Sequence, residues 1–180
     1  MPDFRSSVLL CGSVLALAVA SASIFSSGAH AQQGAADSLR EAYRDWVVQC
    51  QTPTDGARAC ELFQQVDHEE SGRRVTAFSM RILGDGRVAV VTITPFGLRL
   101  VDGMRIQVGD EVVAQFPFDT CTTDGCIVTG IASDALLDAM QDGARGGLVF
   151  AARNGTPFAV PLSLSGFSSA LARLRELVAP

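Results

Sequence analysis

The chain has 180 residues, with 19 acidic residues against 14 basic ones and a formal net charge of −5. Every basic residue is an arginine, which excludes Schiff-base chemistry through a lysine. An acidic balance with no basic cluster also argues against nucleic acid and anionic lipid as partners.

Taken in chain order, the N-terminus reads as an export signal. Arg5 gives a weakly basic start, Val8 to Phe25 is apolar and almost uncharged, and Ala29-His30-Ala31 offers small residues at −3 and −1 of a cleavage site. Residues 1–31 are therefore expected to be removed by a cut between Ala31 and Gln32, which leaves 180 − 31 = 149 residues. The alternative is an uncleaved anchor, since the run nears the spanning minimum of roughly 17 residues. Serines and Gly12 dilute the run, which favours cleavage. A lipid anchor on Cys11 is rejected, because Leu10 stands where a small residue is needed. A signal of this kind is most simply a periplasmic address.

Residues 32–38 are polar and small, and are expected to form a short leader. Residues 39–180 then read as one domain, with no linker, internal repeat or second membrane-spanning stretch. A chain of this length buries roughly two-thirds of its unfolded surface, enough for a proper core.

The pattern along that domain is β. Apolar, β-branched and aromatic runs occupy Trp46 to Gln51, Cys60 to Val66, Val75 to Leu83, Val88 to Thr94 and Met104 to Val108. Further runs follow at Glu111 to Phe118, Cys126 to Ile131, Gly147 to Arg153 and Phe158 to Leu164. Turn signals separate them: Asp55-Gly56, Asp85-Gly86, Asp102-Gly103, Asp124-Gly125, Asp142-Gly143 and Asn154-Gly155. Asp, Asn and Gly tolerate the positive φ that tight hairpin turns require. Strands of this length and spacing predict an all-β sandwich or barrel, with Val88 to Ile93, nearly continuous in apolar character, as a central strand.

Two segments have helical spacing instead. Ser133 to Gln141 has an N-cap serine and Ala135, Leu136, Leu137 and Met140 on one face, ended by Asp142-Gly143. Ser168 to Val178 places Leu171, Leu174 and Val178 on one side with Arg173 and Arg175 outside. The second helix is expected to pack across the sandwich or cover an open edge.

The four cysteines after the signal form two close pairs, Cys50 with Cys60 and Cys121 with Cys126, each around an Asp-Gly turn. Behind an export signal this arrangement reads as disulfides, and local pairing is favoured over the two crossed connectivities. The first pair sits one register off a simple hairpin, which implies a bulge or wide loop. Thiol–disulfide exchange is the functional alternative. It normally needs a Cys-X-X-Cys pair at a helix N-terminus, and neither pair has that spacing.

No reaction centre emerges. His68, the one histidine after the signal, lies in Asp67-His68-Glu69-Glu70, where consecutive loop side chains converge poorly on a metal ion. There is no Gly-X-Ser-X-Gly elbow and no phosphate-cradling glycine loop before a helix. Trp46 reads as a core anchor. Pro95-Phe96-Gly97-Leu98 is an apolar loop that suits either an exposed contact patch or a buried crossover.

The order of these features resembles the invasion-associated locus B family of alphaproteobacteria. The residues that carry the resemblance are Asp45-Trp46-Val47-Val48-Gln49-Cys50 with Cys60, then Thr94-Pro95-Phe96-Gly97-Leu98, then Cys121-Thr-Thr-Asp-Gly-Cys126-Ile127-Val128. Val160-Pro161-Leu162-Ser163-Leu164-Ser165-Gly166-Phe167 before a final helix completes them, so that the likeness spans roughly residues 40 to 172. It implies an immunoglobulin-like β-sandwich in the periplasm or envelope, the pairings Cys50–Cys60 and Cys121–Cys126, and a tie to host-cell invasion. The family has no assigned catalytic residues. The resulting expectation is a non-enzymatic protein without cofactor or metal that binds a protein or envelope component. A thiol redox protein and a structural or stress-related periplasmic protein are the alternatives.

Overall fold

The computed structural model describes residues 38–53 and 56–179. The expected signal, its cut between Ala31 and Gln32, Cys11, the leader before Ser38 and the Asp55 half of the first Asp-Gly turn lie outside the described residues.

Eleven strands and two helices follow one another along the described residues. The strands are β1 (Ser38–Tyr43), β2 (Trp46–Gln51), β3 (Ala59–Asp67), β4 (Arg74–Ile82), β5 (Val88–Thr94), β6 (Met104–Val108), β7 (Glu111–Phe116), β8 (Phe118–Thr122) and β9 (Gly125–Ala132). Helix α1 (Asp134–Asp142) comes next, then β10 (Arg145–Ala151), β11 (Pro157–Ser163) and helix α2 (Phe167–Val178). A single 3-10 turn, Leu100–Asp102, interrupts the passage from β5 to β6.

One sheet has seven strands in the order β1-β2-β3-β4-β5-β9-β8, and the other has four in the order β11-β10-β6-β7. Every pairing in both is antiparallel. This is an all-β sandwich and not a barrel. Period-2 alternation sorts the side chains of the larger sheet into two faces. Trp46, Val48 and Cys50 of β2, Leu62 of β3, Phe78 and Met80 of β4, Val88 and Val90 of β5 and Val128 of β9 point inward, each at most 5% exposed. Met104, Ile106, Leu148, Phe150, Val160 and Leu162 meet them from the smaller sheet.

The four-stranded sheet does not cover the whole inner face of its partner. Helix α2 lies against β1–β4 and fills the remainder with Phe167, Ala170, Leu171 and Leu174. Its Phe167 ring stands 5.2 Å from Trp46, whose other edge meets Phe78 at 5.9 Å in a T-shaped pair. Trp46 is thus the core anchor that its sequence context implies. Helix α1 buries Leu136, Leu137 and Met140, and the Ser133 hydroxyl accepts from the Leu136 N–H at 3.2 Å, the expected N-cap.

The structure departs from the sequence expectation in four places. First, the run Glu111 to Phe118 is two strands, not one. Pro117 has no N–H to give to a ladder, and at that residue the chain leaves the small sheet as β7 and enters the large one as β8. Second, Ser38–Tyr43 is an edge strand that the apolar runs of the sequence do not single out, paired along its length with β2. Third, the Asp-Gly signals divide. Asp85-Gly86, Asp124-Gly125 and Asn154-Gly155 connect hairpin strands and Asp142-Gly143 ends α1 as expected, whereas Asp102-Gly103 ends the 3-10 turn. At Gly125 (φ +142°) any Cβ would collide with the Thr94 carbonyl oxygen, so glycine is required there by space as well as by φ. Fourth, Arg173 does not point away into solvent: it folds back onto β1.

Candidate functional site

The inner faces of both sheets are consumed by the core, so function must lie on what remains outside. The outward side chains of the larger sheet line up in cross-strand rows. One row runs Val47, Phe63, Ser79, Val91, Thr129 from β2 to β9. The next runs Gln65, Ala77, Ile93, Ile127. Ala89 and Ile131 extend a third, where Ile131 is 41% exposed. Val47, Phe63, Val91, Ile93 and Ile127 are each half-buried, shielded by their row neighbours.

A polar seam borders this apolar field. Arg40 Nη1 donates to Gln49 Oε1 at 2.7 Å, Gln49 Nε2 donates to Glu61 Oε1 at 2.7 Å, and Arg81 Nη2 donates to Glu61 Oε2 at 2.9 Å. The carboxylate of Glu61 is therefore compensated from both sides, and the field beyond the seam carries apolar and uncharged side chains. The hydroxyls on this surface, those of Ser79 and Thr129, stand among apolar cross-strand neighbours. Its chemistry is that of a contact face: apolar area with a hydrogen-bonding margin.

The residues singled out in the sequence fall elsewhere. Cys50 and Cys60 are direct partners in the β2–β3 register, with their sulfurs at bonding distance and both side chains at the edge of the core. The ladder runs on without a register shift to Gln51 and Ala59, so the pair is in direct register and not one residue off. Cys121 and Cys126 are likewise direct partners across β8 and β9, with Cys126 buried and Cys121 exposed. All four stand on strands, so no helix N-terminus lies beside a sulfur to favour a thiolate. His68 is exposed in the β3–β4 loop, where its N–H donates to Arg73 O and its carbonyl accepts from Gly72 N, both at 2.8 Å. Among the described residues no three His, Cys, Asp or Glu side chains gather as a metal ion requires. Among them, too, no helix is long and apolar enough to cross a membrane.

One ionic cluster was not legible in the sequence. Arg173 of α2 donates from Nε to Glu41 Oε2 at 2.8 Å and from Nη2 to Glu41 Oε1 at 3.1 Å, and Tyr43 OH donates to the same carboxylate at 2.9 Å. The Arg173 hydrogen bonds, and then that of Tyr43, hold the Glu41 carboxyl below its usual range. The same contacts push the Arg173 guanidinium up. Partial burial, followed by the Glu41 carboxylate, pushes the Tyr43 phenol up. The cluster fastens α2 to the edge strand and is structural in character. A groove of about 790 Å³ lies between the end of α2 and the β4–β5 turn, with Ile82, Leu83 and Leu177 among its walls.

These observations define a class: a two-sheet β-sandwich held by two cross-strand cysteine pairs, with an apolar outer face on its larger sheet. The family model for the invasion associated locus B (IalB) protein matches residues 46–175. An invasion protein B homolog of Brucella abortus is 31% identical over 164 residues, covering 91% of this chain and 94% of the relative. Invasion protein B of Bartonella bacilliformis is 31% identical over 146 residues, 79% of this chain and 77% of the relative. The crystal structure of invasion associated protein B from Bartonella henselae superposes with a TM-score of 0.70 at 28% identity, covering 77% of this chain and 96% of that one. The chain belongs to the IalB family. None of these names denotes an enzyme.

Proposed function

We propose that this chain is an exported, non-enzymatic protein of the bacterial envelope that acts by binding a partner protein through the outer face of its larger sheet. The observation that carries the reading is the field formed by Val47, Phe63, Val91, Ile93, Ile127 and Ile131. An antiparallel sheet that faces water normally alternates to polar side chains on that side. Here β5 keeps Ala89, Val91 and Ile93 on the outside, the composition of a strand covered on both faces. The partner face is correspondingly apolar, with an acidic or hydrogen-bonding margin opposite the seam, where Arg40 and Arg81 outnumber the single carboxylate of Glu61. Cysteine pairing and the N-terminal signal support export of a single domain from residue 39 onward into the periplasm. The names of the relatives support a role in host-cell invasion.

Photocrosslinking in intact cells tests this. A crosslinker at Thr129 or Ile131 should capture a discrete envelope protein that one at Asp134 on α1 does not. Equal capture from both positions, or robust turnover of an envelope substrate by the purified chain, would remove the reading.

A further inference from the structure

The segment between β5 and β6 carries a second surface, independent of the sheet face. Phe96 is 61% exposed, Leu100 42% and Val101 84%. Three of the most exposed large apolar side chains among the described residues thus fall within six positions. The apolar loop seen in the sequence is therefore exposed at Phe96 and only partly buried at Leu98, not a buried crossover.

The loop is held firmly despite this exposure. Leu98 forms a bridge with Ala152, Arg99 N–H donates to Ala151 O at 2.9 Å, and Arg153 N–H donates to Gly97 O at 3.0 Å. Within the turn, Asp102 N–H donates to Arg99 O and Gly103 N–H to Leu100 O, and Gln115 Nε2 donates to Asp102 O at 3.1 Å. Gly103 (φ +67°) could not hold another residue, because a Cβ would press on the Phe116 carbonyl oxygen at 2.6 Å. The backbone at residues 98–99 is pinned to the small sheet, and Phe96, Leu100 and Val101 project from either side of the pin. Fixing apolar side chains in water is unfavourable, and a collapsed loop would relieve it. The hydrogen bonds prevent that collapse.

The same fold brings cations to the base of the projection. Arg99 lies in the loop and Arg153 is bonded to it through Gly97, while Arg105 of β6 lines the same hollow as Val101 and Asp102. Asp102 is the loop's only carboxylate, 3.7 Å from Arg99. Arg105 and Arg153 make no ion pair with a described residue. Three arginines separated by up to 54 positions in the sequence thus lie on the loop and on the strand and turn that flank it, in a chain whose net charge predicts indifference to anions.

We propose that this loop docks the protein on an anionic lipid surface. Phe96, Leu100 and Val101 enter the boundary between headgroups and acyl chains, and the guanidinium groups of Arg99, Arg105 and Arg153 meet the lipid phosphates. Exposed apolar side chains with arginines beside them match the boundary of a phospholipid leaflet, where acyl chains meet phosphates. A protein partner would more readily be served by a flat face such as that of the larger sheet.

The test is flotation of the purified full chain with phosphatidylcholine vesicles, with and without phosphatidylglycerol. Binding is expected to the anionic vesicles and to weaken as salt is raised. The double variant Phe96→Ser/Val101→Ser should bind at least about tenfold more weakly. Arg105→Gln/Arg153→Gln should bind several-fold more weakly with its melting curve unchanged. Failure of the wild-type chain to bind, or equal binding by all variants, overturns the proposal. So does a third result, in which bare vesicles are ignored but the Phe96/Val101 variant is released from native envelope membranes, since that assigns the loop to a protein. Ile131→Ser should leave flotation intact while affecting capture at the sheet face, so the two readings fail separately.

Discussion

The indole N–H of Trp46 donates to the carbonyl of Ser163 at 2.8 Å, joining the second strand of one sheet to the last strand of the other. Gln64 doubles the tie: its Nε2 donates to the same carbonyl at 3.1 Å, and its Oε1 accepts from the Ser163 N–H at 2.8 Å. Ser163 Oγ in turn donates to Asp45 Oδ2 at 2.6 Å. Trp46→Phe removes one donor and leaves space beside Phe78 and Phe167, and should destabilise the chain by about 2 to 4 kcal/mol. Gln64→Leu strands the Ser163 N–H and should cost about 1 to 3 kcal/mol. Urea unfolding followed by circular dichroism measures both.

Gly130 of β9 lies under the ring of Phe116, where an added Cβ would overlap the ring carbons. Gly130→Ala should therefore destabilise by about 1 to 3 kcal/mol, although alanine is ordinarily no worse than glycine in a strand. The double variant Gly130→Ala/Phe116→Leu should recover part of that loss. A strictly additive pair would refute the contact.

The two cysteine pairs close loops of sequence separation 10 and 5. On chain entropy they contribute about 2 to 3 kcal/mol each, the longer loop slightly more. Their accessibilities differ far more, since Cys50 is 1% exposed and Cys121 lies open on the edge strand. Under mild reduction of the native protein, alkylation and mass analysis should find Cys121 and Cys126 modified well before Cys50 and Cys60. Simultaneous loss of both pairs would mean that reduction proceeds only through global unfolding.

Acid should loosen the attachment of α2. Arg173 and Tyr43 hold the Glu41 carboxyl below its ordinary 4.5, so its contribution to stability is fully present above that value. It is lost as pH falls through the lowered folded value, where the carboxylate is neutralised and the Arg173 contact weakens. Glu41→Gln should melt below wild type at neutral pH and converge with it in strong acid. Parallel melting-temperature profiles across that range would show that the pair adds nothing.

Much of this fold is legible in the sequence, and what is not has physical reasons. Nine apolar runs and two helices were visible because periodicity and turn residues are local properties. The division at Pro117 was missed because apolar runs on either side of a single proline read as one segment. Strand β1 was missed because Ser38–Tyr43 pairs with only one neighbour and buries little, so its alternation is faint. The outer face was half legible. The continuous apolar run of β5 was read as centrality, which is correct, but the same run also means that its outward residues are apolar. Arg173 looked like a solvent residue because its partner Glu41 is 132 positions away. The cationic base of the β5–β6 loop was invisible for the same reason.

Pro117 carries a final consequence. Between Phe116 in the small sheet and Phe118 in the large one there is a single residue, and each flanking strand is hydrogen-bonded along its length. The two sheets are therefore threaded together with almost no slack, and neither can swing open on a hinge at that corner. Any partner that engages one sheet holds a body whose other sheet must follow, so a pull on one surface reaches the other through a rigid frame.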